Sequence, residues 1–180
     1  MLRSVVLGMV LLALPGLAAE RSSRERVSAN GAFSVRFVER APGQCSLEIL
    51  KESGVVWKVD RCLGSVDDLY FVANNGERVW VLYPLAEKGT RKLEGKQNKK
   101  VPVWANTRVA AAYDRHGSRV DERDLLDLVP VQALAEVRQM AQHLKWLEGV
   151  LGVPGKGPRL TDAGRIDFET VDGKSHQLSF

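Results

Sequence analysis

The chain is short of the residues from which metal centres and activated nucleophiles are usually built. Its 180 residues include 2 cysteines and 3 histidines. The histidines, His116, His143 and His176, never stand at the spacing that puts two ligands on one helix face. There is no Cys-x-x-Cys, His-Glu-x-x-His, nucleophile-elbow serine or dinucleotide fingerprint, and Gly155-Lys156-Gly157 lacks the rest of a Walker sequence. No catalytic residue, metal ligand or cofactor is therefore expected. Apolar runs of membrane-spanning length are also missing: Val5 to Leu14 covers about half of the roughly 20 residues that a bilayer requires. With 44% hydrophobic and 27% charged residues, the composition excludes a disordered tail, a collagen-like fibre and a polytopic membrane protein.

What stands at the N-terminus is an address. A basic start at Arg3, the apolar run from Val5 to Leu14 and the small residues Pro15-Gly16-Leu17-Ala18-Ala19 follow the order of a secretory signal peptide. Cleavage is expected after Ala18 or Ala19, and the first cysteine, Cys45, is too distant to carry a lipoprotein anchor. The expected organisation is a signal peptide over 1–19, a flexible N-terminus over 20–27, and a single β-rich domain over 28–180. No stable membrane span remains after cleavage, which places the protein in the periplasm or outside the cell.

The net charge of +4 is small and unevenly placed. Lys88, Arg91, Lys92, Lys96, Lys99 and Lys100 crowd one stretch against Glu94 alone, among Gly89, Gly95, Gln97 and Asn98, so a basic, flexible loop is expected over 88–100. It offers an electrostatic contact for an anionic envelope polymer or an acidic protein, or simply keeps a connection solvated. No aromatic residue is interleaved to stack on a base, and nucleic acid is not an expected partner.

Export also gives the two cysteines a reason, because an oxidising compartment favours a Cys45–Cys62 disulfide. Both lie in a hairpin pattern, where Leu47 and Ile49 share a face with Val55, Trp57 and Val59. Pairing Ile49 with Trp57 and Leu47 with Val59 requires a loop over Glu52-Ser53-Gly54, with Gly54 in the left-handed conformation and a bulge returning Cys62 towards Cys45.

Similar units recur. Asn30-Gly31, Asn75-Gly76, Asp114-Arg-His-Gly117 and Asp172-Gly173 punctuate apolar alternating runs, the strongest short-range hairpin signal. Around Asn75-Gly76 the pattern pairs Phe71 with Trp80 and Leu69 with Leu82 on one face, and Val72 with Val79 and Tyr70 with Val81 on the other. Both faces are apolar, so both must be covered. At the C-terminus, Ile166 and Phe168 share a face with Leu178 and Phe180 only around a three-residue loop ending at Gly173, which sets His176 on the face of Phe168. The stretch from Ser28 to Tyr83, with Ser-x-Asn-Gly-x-Phe at its start and Phe-Val-Ala-Asn-Asn-Gly-Glu-Arg-Val-Trp-Val at its end, resembles the blade-type repeats of exported β-propeller proteins of the broad WD-repeat-like class. The Gly-His and Trp-Asp signatures of true WD-repeat blades are absent. The resemblance implies two or three blade-like units, fewer than the four to eight of a closed propeller.

One helix is expected, over about 130–148. Pro130 suits its first turn, and Leu134, Val137, Met140 or Ala141, Leu144, Leu147 and Leu151 recur at spacings of three and four. Leu144 and Trp146 also alternate, so 143–149 reads equally as extended. The fold class expected is mainly β with one main helix (α+β): antiparallel blade-like hairpins form a compact sheet or sandwich, with the helix packed on it. The acidic residues Asp121, Glu122, Asp124 and Asp127 suit a helix N-terminus. The function expected is that of an exported, non-catalytic protein binding a protein or envelope polymer. The alternative is a small secreted hydrolase in which Asp121, Asp124 or Asp127 meets His116 or His143.

Overall fold

The computed structural model describes residues 20–90, 101–149 and 157–180. The segment 1–19, expected as a signal peptide, and most of the expected basic loop, 91–100, lie outside them, as does 150–156. Within the described residues the chain is mainly β, arranged as antiparallel sheets.

The first sheet is a meander of β3 (Ser34–Ala41), β4 (Gln44–Lys51) and β5 (Gly54–Val59), with β1 (Arg21–Ser22) and β2 (Arg26–Val27) both paired to the outer side of β3. Residues 20–27, expected as a flexible tail, are thus held on the sheet at two places. The β4–β5 register carries both pairs that the alternation required, Ile49 with Trp57 and Leu47 with Val59. The turn itself differs. Lys51 pairs with Gly54, Glu52 and Ser53 take positive φ of 50° and 69°, and the slip that restores the alternation is a bulge between the Ile49 and Leu50 pairings. A two-residue turn with both central residues left-handed matches the twist of a hairpin, so the extra residue moved out of the loop and into the strand, where it bends β5.

The second sheet runs β10 (Arg119–Asp124), β9 (Arg108–Asp114), β7 (Arg78–Leu82), β6 (Leu69–Val72). Its β6–β7 register is the expected one, Leu69 with Leu82, Tyr70 with Val81, Phe71 with Trp80 and Val72 with Val79. Alternate residues feed two cores. Tyr70, Val72, Val79, Val81, Ala111 and Tyr113 pack with Val35, Phe37, Leu47 and Ile49 of the first sheet, and Phe37 stacks on Tyr70 at 5.5 Å. On the opposite face Phe71, Trp80, Leu82, Ala110 and Ala112 pack with Trp146, Leu147, Ile166, Phe168 and Leu178. Each of these large side chains contributes roughly 1.5–3 kcal/mol by leaving water.

The cover on that second face is not a helix. Over the expected 130–148, Val131–Glu136 is a 3-10 turn, followed by β11 (Arg138–Gln139) and β12 (His143–Lys145). These strands join β8 (Leu85–Glu87) in a third sheet, ordered β11-β12-β8. Leu134, Val137, Leu144 and Leu147 are buried as their spacing suggested, but in different elements, and Met140 is exposed. Of 143–149, read equally as extended, His143–Lys145 is strand and Leu147 bridges to Thr170, while the chain bends at Glu148 and Gly149. The α-helix present among the described residues, α1 (Leu125–Leu128), is a single turn.

The fourth sheet joins β13 (Arg159–Leu160), β14 (Ile166–Glu169) and β15 (Ser175–Leu178). Ile166 pairs with Leu178 and Phe168 with His176 around a loop in which Gly173 has φ 76°, as expected. One turn recurs across the sheets: the glycine N–H donates to the carbonyl three residues earlier, from Gly31 to Ser28, Gly76 to Ala73, Gly117 to Asp114, Gly164 to Thr161 and Gly173 to Thr170. Gly164 is a turn of this kind that the sequence reading missed.

The sheets close no propeller. On the face of the first sheet turned away from the core, Arg36 and Arg40 cover the buried Glu48 carboxylate, with contacts of 2.9 and 3.1 Å. The outer surface of the fourth carries a polar chain from Arg165 to Gln177 to Asp167. Charged end faces of this kind cap a layered stack against further apolar packing.

Candidate functional site at a tyrosine-lined cleft

The disulfide forms: Cys45 and Cys62 are joined, with their Cα atoms 4.8 Å apart. It holds the end of the first sheet against the loop that leads into the second, and that loop lines a cleft of about 550 Å³. The walls come from Cys62 to Ser65 and Asp68, from Tyr83 and β8, from Thr107 and Arg108 at the start of β9, from Tyr113 at its end, and from His143 on β12. Four segments remote in sequence therefore meet there.

The loop is rigid because its polar groups are spent on one another. Asp68 Oδ2 accepts from the Ser65 backbone N–H at 2.7 Å and from Ser65 Oγ at 3.1 Å. Tyr70 donates its hydroxyl to the Ser65 carbonyl at 2.7 Å, and Tyr83 donates to the Leu63 carbonyl at 3.2 Å. The Tyr113 and Tyr83 hydroxyl oxygens are 3.2 Å apart. With Tyr83 donating to Leu63, its oxygen is left to accept from Tyr113. Gly64 is required by this crowding, since a Cβ there would lie 2.7 Å from the Tyr70 hydroxyl and 2.8 Å from Asp68 Oδ2.

Burial governs the electrostatics. It pushes the Asp68 carboxyl up to about 6, against the hydrogen bonds from Ser65, which act to lower it, and nearby Asp67 adds to the rise. Burial likewise raises the Tyr83 hydroxyl, helped by its bond with Tyr113. Tyr83 thus stays a neutral hydrogen-bonding group at ordinary pH. Arg108, the guanidinium on the wall, is engaged elsewhere: its Nε lies 2.6 Å from Glu122 Oε2, which Arg119 also contacts at 3.1 Å. Thr107 donates to the Glu87 backbone carbonyl at 2.5 Å, and pairing of Glu87 with His143 ties β8 to β12 at the rim.

The residues singled out from sequence fall elsewhere. Asp121 pairs with Arg123 at 2.5 Å. Asp127 Oδ2 accepts from the Asp124 backbone N–H at 2.8 Å, the capping geometry of a helix start, but on α1 and not on the expected longer helix. His116 lies in the exposed turn beside Arg115, and His176 stacks on Phe168 at 5.5 Å. Of these acids and histidines only His143 reaches the cleft. Thr170, whose hydroxyl contacts both Asp172 at 2.5 Å and His176 at 3.1 Å, is fully buried, and its place is to lock the last hairpin. Of the basic stretch, Lys88 is described: its backbone N–H donates to the Gln142 carbonyl at 2.9 Å, while Arg91, Lys92, Lys96, Lys99 and Lys100 lie outside the described residues. No helix among the described residues is long and apolar enough to cross a membrane.

No family model, curated protein or solved structure matches the chain.

Proposed function

We propose that this is an exported, non-catalytic protein that binds a protein or an envelope polymer, with the tyrosine-lined cleft as its contact site. The observation that carries the reading is the composition of the cleft: a rigid concave wall of hydroxyls, carboxylates and carbonyls without a nucleophile set against an imidazole. Ser65 does meet an acid, but it meets Asp68 within its own turn. A carboxylate near 6 is a weak base for a serine hydroxyl, and no oriented histidine stands between them. The hydrolase alternative loses its support because Asp121, Asp124 and Asp127 do not converge with His116 or His143. Export is supported by the N-terminal pattern of charge, apolar run and small residues, and by the disulfide, which persists in oxidising compartments.

The test is position-specific photocrosslinking in the producing cell. A photoreactive side chain placed at Ser65 or at His143 on the cleft should crosslink to a discrete envelope component, and one placed at Gln177 on the outer face of the fourth sheet should not. Equal crosslinking from all three positions would remove the cleft from the account.

A further inference from the structure

The chain as a whole is basic, yet the cleft is not. Asp68 and Glu87 both line it. Arg108 is paired with Glu122 at 2.6 Å. The remaining lining groups present oxygen: the hydroxyls of Tyr83, Tyr113, Thr107 and Ser65, of which Tyr83 already satisfies the Leu63 carbonyl. A concave site with surplus negative charge, hydroxyl oxygens and aromatic side chains is suited to a positively charged nitrogen, which needs acceptors and gains from aromatic faces. It is ill suited to an anion, because the cation on its wall is already paired.

We propose that the cleft binds a cationic nitrogen group, an ammonium or guanidinium such as a lysine or arginine side chain presents, through the carboxylates of Asp68 and Glu87 among the Tyr83 and Tyr113 hydroxyls. This rests on the reading of the cleft as the binding site, and it narrows the partner to a protein that offers a basic side chain. The anionic polymer expected from the basic stretch 88–100 would have to bind elsewhere.

The test is titration of the disulfide-intact, isotope-labelled protein at pH 7.5 with three blocked amino acids, N-acetyl-lysine methylamide, its neutral isostere N-acetyl-norleucine methylamide, and N-acetyl-glutamate methylamide, following amide shifts. The lysine probe should move the Ser65, Asp68, Tyr83, Glu87 and His143 resonances, and the other two should leave them in place. Asp68→Asn should weaken the lysine probe by about tenfold and Glu87→Gln by less, with the dispersed spectrum of each variant showing that it folds. Equal response to lysine and norleucine, or an undiminished affinity in Asp68→Asn, overturns the cationic assignment. Shifts at the cleft from the norleucine or glutamate probe alone overturn it while leaving the cleft as a binding site. Silence from all three probes, together with the loss of position-specific crosslinking, removes the binding reading as well.

Discussion

Asn30 and Asn74 join the first two sheets turn to turn. The Asn30 backbone N–H donates to Asn74 Oδ1 at 3.0 Å, and Asn30 Nδ2 donates to the Asn74 carbonyl at 3.0 Å. Asn30 Oδ1 also accepts from Ser28 Oγ at 2.8 Å and from the Ala32 N–H at 3.1 Å. One amide thus orders its own turn and fastens it to the next. Asn30→Ala should lower stability by about 1–2 kcal/mol, the range for losing net hydrogen bonds and leaving acceptors unmet. Urea denaturation followed by tryptophan fluorescence measures it.

Two glycines of the recurring turn separate backbone strain from steric space. Both have left-handed φ, 73° at Gly76 and 76° at Gly173. A Cβ at Gly76 would lie 2.6 Å from the Phe33 ring, whereas one at Gly173 meets nothing within 4 Å. Gly173→Ala should therefore cost only the conformational penalty, about 1 kcal/mol. Gly76→Ala must in addition displace Phe33, and should cost about 1–2 kcal/mol more. Thermal melts of the two variants side by side check the order.

The disulfide closes the first hairpin beside the cleft. In the chain-entropy account a loop of this length contributes about 3 kcal/mol, so replacing Cys45 and Cys62 together by serine should lower the denaturation free energy by about that amount. Mass spectrometry of the wild-type protein should show a gain of two hydrogens on reduction. Because Cys62 lines the cleft, the same variant should show faster amide exchange at Ser65 and Asp68 than at Trp80, which belongs to the core on the far side of the second sheet.

Asp68 makes stability depend on pH in a defined direction. Its folded pKa, about 6, lies above the ordinary aspartate value of 3.8. The favourable protonated form is fully present below about 3.8, and the stability it confers is lost as pH rises through 6. Asp68→Asn, which keeps an acceptor for Ser65, should therefore be more stable than wild type above pH 6, by on the order of 1–2 kcal/mol. The difference should shrink as the pH falls towards 4. Denaturation at pH 4, 5, 6 and 7.5 tests both the sign and the window. The ionised state that costs stability is the state that would hold a cation, so binding of the lysine probe should weaken as pH falls through 6.

The sheets were legible in sequence wherever alternation and turn chemistry agreed. Phe71 opposite Trp80, and Ile166 opposite Leu178, follow from period-two patterns around Gly76 and Gly173. At Cys45–Cys62 the two signals disagreed by one residue, and the bulge in β5 reconciled them. The expected helix failed because spacings of three and four among Leu134, Val137, Leu144 and Leu147 arise equally from a 3-10 turn followed by short strands, once every element turns its apolar side to the same core. Only the alternation of Leu144 with Trp146 marked the true conformation. The cleft left no local trace. Asp68, Tyr83, Arg108 and His143 belong to separate segments, and their meeting is a consequence of how the second and third sheets pack.

The most direct test of the cleft as the binding surface is hydrogen–deuterium exchange of the disulfide-intact protein with and without detergent-solubilised envelope from the producing cell. Added protection is expected at Ser65–Asp68, Tyr83–Glu87, Thr107–Arg108 and His143, lost in Asp68→Asn, with the outer face of the fourth sheet unchanged. Protection confined to that outer face, or protection of the cleft that persists undiminished in Asp68→Asn, would contradict it.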